Sequence, residues 1–153
     1  MDIYIKKGNL QHINDCEEIL VHSELGQRYF SERGSAKKAI REGLKQKQLF
    51  VALESDICVG FVWYIPKGAF HSFPYLHIIA VEENHRGKGI GTKMIDYLEK
   101  IVFKDTDKIF LVVADFNPSA RQLYEKIGYR QVGEIPNLYR KGITEYLMMK
   151  ERK

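Results

Sequence analysis

Hydrophobic and polar positions along the chain change period several times, and each change marks an element. Residues 2–7 (DIYIKK) alternate as a half-buried strand does, and Gly8-Asn9 closes the run. The period then lengthens. Ile13, Cys16, Ile19 and Leu20 fall on one helical face, with Asn14 and Glu17 spaced as a capping box. Gly26 through Phe30 is expected to break that helix and to expose Tyr29 and Phe30. Ser35 is placed to cap a second helix to about Lys47, with Ala36, Ala39, Ile40 and Leu44 inward.

Two β-rich runs follow, 48–55 and 57–65, joined at Ser55-Asp56 as a hairpin, with Gly60 at a bulge or a close approach. Pro66 and Gly68 are expected to stop the second run and open a flexible aromatic loop over 67–74. YLHIIAV (75–81) is an apolar central strand that leads into Gly87, Gly89 and Gly91. A helical stripe of Ile90, Met94, Leu98, Ile101 and Val102 comes next, then a buried strand at 108–114. Asn117-Pro118 opens another helix with Ala120, Leu123, Tyr124 and Ile127 on one side, and Gly128 ends it. Strands at 129–135 and 143–150 close the chain. The order β α α β β β α β α β β contains one strand-helix-strand crossover, 75 to 114, in an otherwise meandering sheet. No repeat or linker interrupts it, and one domain over 1–153 is expected.

Composition narrows the class. At 44% apolar and 29% charged residues the chain is globular, which excludes disorder and a coiled coil. Twenty-four Lys and Arg against 20 Asp and Glu give a net charge of +4. The acids are interspersed, so the excess suits a polyanionic ligand and lacks the basic stripe or aromatic ribbon of a nucleic-acid binder. There is no run of 18 apolar residues and no apolar leader, so a cytoplasmic protein without a membrane span is expected. Cys16 and Cys58 stand alone in apolar patterns and read as reduced core thiols. No Cys/His cluster has ligand spacing, and no metal is expected.

The chemistry concentrates in the stretch after the central strand. Gly87, Gly89 and Gly91 allow a sharp turn and close backbone approach, free amides open the following helix, and Arg86 and Lys88 add charge. This is the composition of a phosphate cradle. It is not a P-loop, since Gly91 rather than Lys precedes Thr92, and its G-x-G-x-G spacing is not the dinucleotide fingerprint.

Arg86-Gly87-Lys88-Gly89-Ile90-Gly91 instead resembles the R/Q-x-x-G-x-G/A pyrophosphate loop of the GNAT superfamily of N-acetyltransferases. The stretch NPSARQLYEKIGY (117–129) is similar to that family's N-x-x-A-x-x-L-Y-x-K-x-G-F/Y signature, in the expected order. The resemblance implies the GNAT fold: an α/β (α+β) domain with a central mixed, mostly antiparallel twisted sheet of about seven strands, about four helices, and strands four and five splayed. It implies acetyl-CoA as cosubstrate. The backbone of Ile79, Ala80 and Val81 would pair with the pantetheine arm and supply an oxyanion donor. Amides of Arg86, Gly87, Lys88, Gly89, Ile90, Gly91 and Thr92 would hold the diphosphate, and Asn117 would contact the cofactor arm or simply cap its helix.

Tyr124 matches the family tyrosine that lies beside the CoA sulfur and protonates the departing thiolate. The family's base position falls at Tyr75, where histone-type members carry Glu. Arylalkylamine-type members carry two histidines at the positions of Tyr75 and His77, so this chain keeps one of them. By the two-residue period Tyr75, His77 and Ile79 share a face. His77 is therefore the candidate base, directly or through a water, with Glu82 or Glu83 as backup; a sheet histidine without a catalytic part is the plainer alternative. Tyr29, Phe30, Phe73 and Tyr75, with Phe70, His71 and Tyr139, are candidates to line an acceptor site for a small-molecule amine or a peptide N-terminus. The apolar YLMMK strand suits a homodimer. The alternative function is a CoA-binding regulatory domain without turnover.

Overall fold

The structure, a computed structural model, describes residues 2–153. The chain runs β1 (Ile3–Lys7), α1 (Ile13–Val21), α2 (Glu24–Tyr29), α3 (Ser35–Lys45), β2 (Leu49–Glu54), β3 (Ile57–Ala69), β4 (Phe73–Val81) and α4 (Ile90–Val102). It continues through β5 (Lys108–Ala114), α5 (Pro118–Lys126), β6 (Arg130–Pro136) and β7 (Thr144–Glu151). Among the described residues seven strands form one sheet in the order β1-β2-β3-β4-β5-β7-β6. β4 and β5 are parallel, in register at Tyr75↔Phe110 and Leu76↔Leu111. The pairs β1–β2, β2–β3, β5–β7 and β6–β7 are antiparallel. A parallel pair cannot be closed by a hairpin, so the chain between β4 and β5 must cross over, and α4 makes that crossing. This is the mixed sheet expected from the element order.

By its contacts the chain divides into two compact units. The first comprises residues up to Tyr64 together with Ile78–Leu98. Its core gathers Cys16 and Leu20 of α1, Ile40 and Leu44 of α3, Leu49 and Val51 of β2, Phe61 of β3, and Ile78 of β4. Gly60 faces a register shift at Ala52/Leu53, and a Cβ there would lie 3.1 Å from both Ala80 O and Met94 Cε. The glycine thus serves both expected roles, bulge and close approach.

Three local expectations are corrected in this unit. The first cap is Asn9, not Asn14: the Asn9 side chain accepts from Gln11 N at 2.9 Å, and His12 Nδ1 accepts from Asn9 N at 3.1 Å. A 3-10 turn at Leu10–His12 then precedes α1. Gly26 does not break a helix but sits buried within α2, where a Cβ would be 1.8 Å from Leu20 O. Ser23 links α1 to α2, donating to Leu20 O at 2.6 Å and accepting from Gly26 N at 2.9 Å. Tyr29 and Phe30 are consequently half-buried rather than exposed. Ser35 is the first residue of α3 and donates to Glu32 O at 2.7 Å, leaving Gly34 at the cap position with φ 81°.

The second unit comprises Ile65–His77 and Glu99–Lys153. Ala69, Phe110 and Met149 form a small core to which Phe73, Tyr75 and Leu147 are added. Pro66 and Gly68 do not stop β3, which runs on to Ala69. The expected loop contracts to a turn at Phe70 and His71, both with positive φ (57° and 58°), closed by Ser72 N donating to Ala69 O at 3.1 Å. Of the α5 stripe only Tyr124 is buried, and Leu123 is 37% exposed. Among the described residues there are five α-helices where about four are expected, α2 being the addition.

One polar cluster is built into this unit's interior. Glu99 of α4 accepts from Tyr129 Oη at 2.9 Å and from Lys150 Nζ at 2.8 Å, and Lys150 also donates to Ile127 O at 2.8 Å. A single lysine therefore neutralises a buried carboxylate and satisfies a carbonyl at the end of α5.

Candidate active site

In the first unit, β4 delivers the chain into the glycine-rich loop. Its burial alternates, with Leu76, Ile78 and Ala80 buried and Tyr75, His77 and Ile79 half-buried, as the two-residue period requires. Glu82 N donates to Val59 O at 2.8 Å, tying the strand's end to β3. A 3-10 turn at Glu83–His85 follows, and Arg86 returns to extended backbone at φ −70°, ψ 154°. Gly87 and Gly89 then take φ 76° and 81°, a conformation open to glycine at little cost.

The loop's amides are the feature of note. Arg86 N donates to Glu83 O and Lys93 N to Gly89 O, whereas residues 87 to 92 donate no backbone hydrogen bond among the described residues. A Cβ on Gly87 or Gly89 would meet nothing within 4 Å, so the loop faces open space. Successive free amides at a helix N-terminus make an anion site, and a diphosphate fits that donor set. Arg86 has a further part not foreseen from its charge. Its Nε donates to Val81 O at 3.1 Å and its terminal nitrogen to His22 O at 3.5 Å, which braces the loop. Lys88 is exposed and available to an anion.

The turn itself is clamped. His85 Nδ1 lies 2.5 Å from Glu82 Oε2 and its Nε2 lies 3.1 Å from Glu54 Oε1. Glu82 also accepts from Asn84 N at 3.1 Å. Glu82, a backup base by sequence, is thus occupied within the turn, and its carboxyl is held below the usual range chiefly by the bond to His85.

The second unit gathers most of the expected catalytic residues. Tyr75 and His77 project from β4 with ring centroids 6.0 Å apart, and the Tyr75 hydroxyl meets that of Tyr139 at 3.1 Å. Burial raises the Tyr75 phenol, and the Tyr139 hydrogen bond, the Glu145 charge and Tyr124 reinforce the rise. Those effects place Tyr75, Tyr139, Glu145 and Tyr124 in one neighbourhood. Glu145 is only 3% exposed on β7, opposite Ala114 of β5. Sequence reading missed it. Its one signal is a carboxylate set in the apolar run ITEYLMMK. Burial lowers the His77 imidazole from its ordinary value and raises Tyr124 to about 12. Tyr124 also packs edge-on against Tyr129 at 5.9 Å, next to the Glu99–Lys150 pair.

The remaining candidates are placed as follows. Asn117 caps α5, its Oδ1 accepting from Ala120 N at 3.2 Å. Phe73 packs on Phe110 at 5.6 Å, within the small core. Phe70 is 67% exposed. In the first unit Phe30 lines a cavity of about 310 Å³ with Glu17, Val21 and Arg33, while Tyr29 is half-buried at the end of α2. Cys16 and Cys58 are buried in the first unit's core, and the hydrogen bond that Cys16 donates to Cys58, with burial, raises the Cys16 thiol. No helix among the described residues is long and apolar enough to cross a membrane.

Known proteins resemble this chain in sequence and in fold. An N-alpha-acetyltransferase of Saccharolobus solfataricus is 32% identical over 120 residues, covering 70% of this chain and 72% of that protein. An S-(2-succino)cysteine N-acetyltransferase of Bacillus subtilis is 35% identical over 80 residues, 50% of this chain and 48% of that one. For three relatives the match spans between 28% and 51% of the relative's own length. Among solved structures, an aminoglycoside 6'-N-acetyltransferase complexed with coenzyme A superposes with a TM-score of 0.78 at 24% identity, over 97% of this chain and 96% of the other. The family description "Acetyltransferase (GNAT) family" matches residues 11–129, which hold the whole glycine-rich loop and the α5 signature, and the chain belongs to that family.

Proposed function

We propose that this chain is an acetyl-CoA-dependent N-acetyltransferase that acylates a primary amine, of a small molecule or a peptide N-terminus, by direct attack in a ternary complex. The observation that carries the reading is the run of free amides at residues 87 to 92, behind a braced arginine, in a chain of the GNAT family. The names of its relatives support it, since those proteins acetylate α-amines, a modified cysteine and an aminoglycoside.

When bound, acetyl-CoA supplies an activated acyl group and a thiolate leaving group. The amides of 87 to 92 would hold its diphosphate, and the backbone of Ile79, Ala80 and Val81 would align the arm. A backbone N–H aimed at the thioester carbonyl would contribute ~3–4 kcal/mol to the transition state. The acceptor poses the harder problem. An alkylamine of pKa ~10.4 costs ~4.6 kcal/mol to present deprotonated at pH 7. Burial lowers the His77 imidazole from its ordinary value, which favours its base form at pH 7 and makes it the candidate to receive the ammonium proton.

At the other end, Tyr124 with a pKa of about 12 stays protonated throughout the working range. Complete transfer of its proton to a thiolate of pKa ~8.5 would cost ~5 kcal/mol. Its role is accordingly to donate a strong hydrogen bond to the developing thiolate, with the proton arriving from solvent or from the acceptor. Neither cysteine serves as an acetyl carrier, because both are enclosed in the helical core.

Thiol release from acetyl-CoA over a panel of amines tests the proposal: an aminoglycoside, peptides with free N-termini, and S-substituted cysteines. Release on at least one amine is expected. Acetyl-CoA uptake without release on any of them would instead mark a CoA-binding regulatory domain.

A further inference from the structure

We propose that His85, held between Glu82 and Glu54, is a positioning residue for the diphosphate loop, and that its charge sets the affinity for acetyl-CoA. The inference rests on the cofactor reading above and adds a regulated contact to it. Its basis is hydrogen-bond valence. Each ring nitrogen faces a carboxylate oxygen, Nδ1 that of Glu82 at 2.5 Å and Nε2 that of Glu54 at 3.1 Å. Ionised carboxylates only accept, and a neutral imidazole carries a single N–H, so satisfying both contacts requires the imidazolium. Those same bonds, Glu82 first, raise the ring's pKa above its ordinary value.

Two chain segments meet at the ring: Glu54 is the last residue of β2, and Glu82 follows β4 in the same turn as His85. Arg86, the residue after His85, acts on Glu82 and is itself braced on Val81 O and His22 O. The turn does not need the imidazolium for its backbone, which is already closed by His85 N donating to Glu82 O at 2.9 Å. At 23% side-chain exposure for His85, these ion pairs add little to global stability. Their effect is local. With the proton present, Glu54, Glu82 and His85 together carry one negative charge; without it they carry two, one residue ahead of the loop that receives a diphosphate. Loss of the proton also turns a lone pair toward one of the carboxylates, which releases that side of the turn and the Arg86–Gly87 junction behind it.

The test is acetyl-CoA binding by calorimetry from pH 7 to pH 9, without acceptor. Phosphate monoesters have finished titrating there, and the thioester has no thiol to ionise. The dissociation constant of the native protein should rise about five- to tenfold as His85 loses its proton, with a midpoint matching that of the His85 ring signal by NMR. His85→Gln should bind about five- to tenfold more weakly at pH 7 with a flat profile, its steady-state defect falling on KM for acetyl-CoA rather than on kcat. Glu54→Gln, which removes one carboxylate charge and whose amide can donate to a neutral ring nitrogen, lifts the need for the imidazolium and should also flatten the profile. A flat native profile, or an undiminished slope in both variants, would overturn the inference while leaving the cofactor reading intact. No uptake by the native protein at pH 7 would overturn both.

Discussion

Replacing Gly89 by alanine separates the cost of backbone strain from the cost of filling a binding site. Gly89 has φ 81°, and an added Cβ would meet no atom within 4 Å. No clash therefore contributes. An L-residue in the left-handed region costs ~1–2 kcal/mol, and the stiffer unfolded chain of alanine returns ~0.4–1 kcal/mol. The net destabilisation is ~1 kcal/mol, which lowers Tm by about 2–4 °C in a chain of this size. Binding should suffer more. The methyl group would stand in the open space onto which the free amides look, displacing the anion from one or two charge-assisted hydrogen bonds at ~1.5–3 kcal/mol each. That corresponds to a Kd for acetyl-CoA raised about ten- to a hundredfold or more. Gly34 supplies the matched control, with φ 81° and no atom within 4 Å of its Cβ position. Gly34→Ala should lower Tm equally and leave Kd within about twofold. Thermal unfolding and calorimetry on the two variants decide the matter. Equal Kd values for both, or an unaltered Kd in Gly89→Ala, would refute the reasoning.

Other consequences follow from the second unit. Tyr124→Phe should lower kcat about tenfold or more with KM for acetyl-CoA little changed; full turnover in this variant would remove the hydroxyl from the reaction. Because burial holds the His77 imidazole below its ordinary value, its base form persists at neutral pH, and kcat/KM should fall only as pH drops below about 6.5. His77→Gln should lower the plateau and abolish that acidic limb, and persistence of the limb would assign the base elsewhere. Lys150→Met would leave Glu99, 8% exposed, with only the Tyr129 hydroxyl as partner. Stranding a buried carboxylate in this way costs ~3–5 kcal/mol, or about 10 °C in Tm. A shift under about 2 °C would show that the pair contributes nothing to stability.

Most of the fold was legible because its signals are local. The two-residue period of 75–81 and the stripe from Ile90 to Val102 each name their element, and Asn117-Pro118 marks the start of α5 to the residue. The turn of the glycine-rich loop was equally readable, since the positive φ of Gly87 and Gly89 selects glycine and leaves its mark in composition. What escaped depends on neighbours distant in sequence. Gly26 has the chemistry of a helix breaker, yet its lack of a Cβ is what lets α2 pack against Leu20 O. Pro66 and Gly68 signal a stop, but β3 continues past them to a turn set by the positive φ of Phe70 and His71. Glu99, Tyr129 and Lys150 lie 21 to 51 residues apart in sequence and form a unit only once folded. The same holds for His85 with Glu54, 31 residues away, and for Glu145 beside Tyr75.

The central claim is that the main-chain amides of the glycine-rich loop receive the diphosphate of acetyl-CoA. Backbone amide shifts recorded during a titration with the cofactor test it residue by residue. The largest changes are expected at Gly87 through Thr92, with a second, smaller group at Ile79 to Val81. Saturable shifts confined to other parts of the chain, with residues 87 to 92 unmoved, would contradict it.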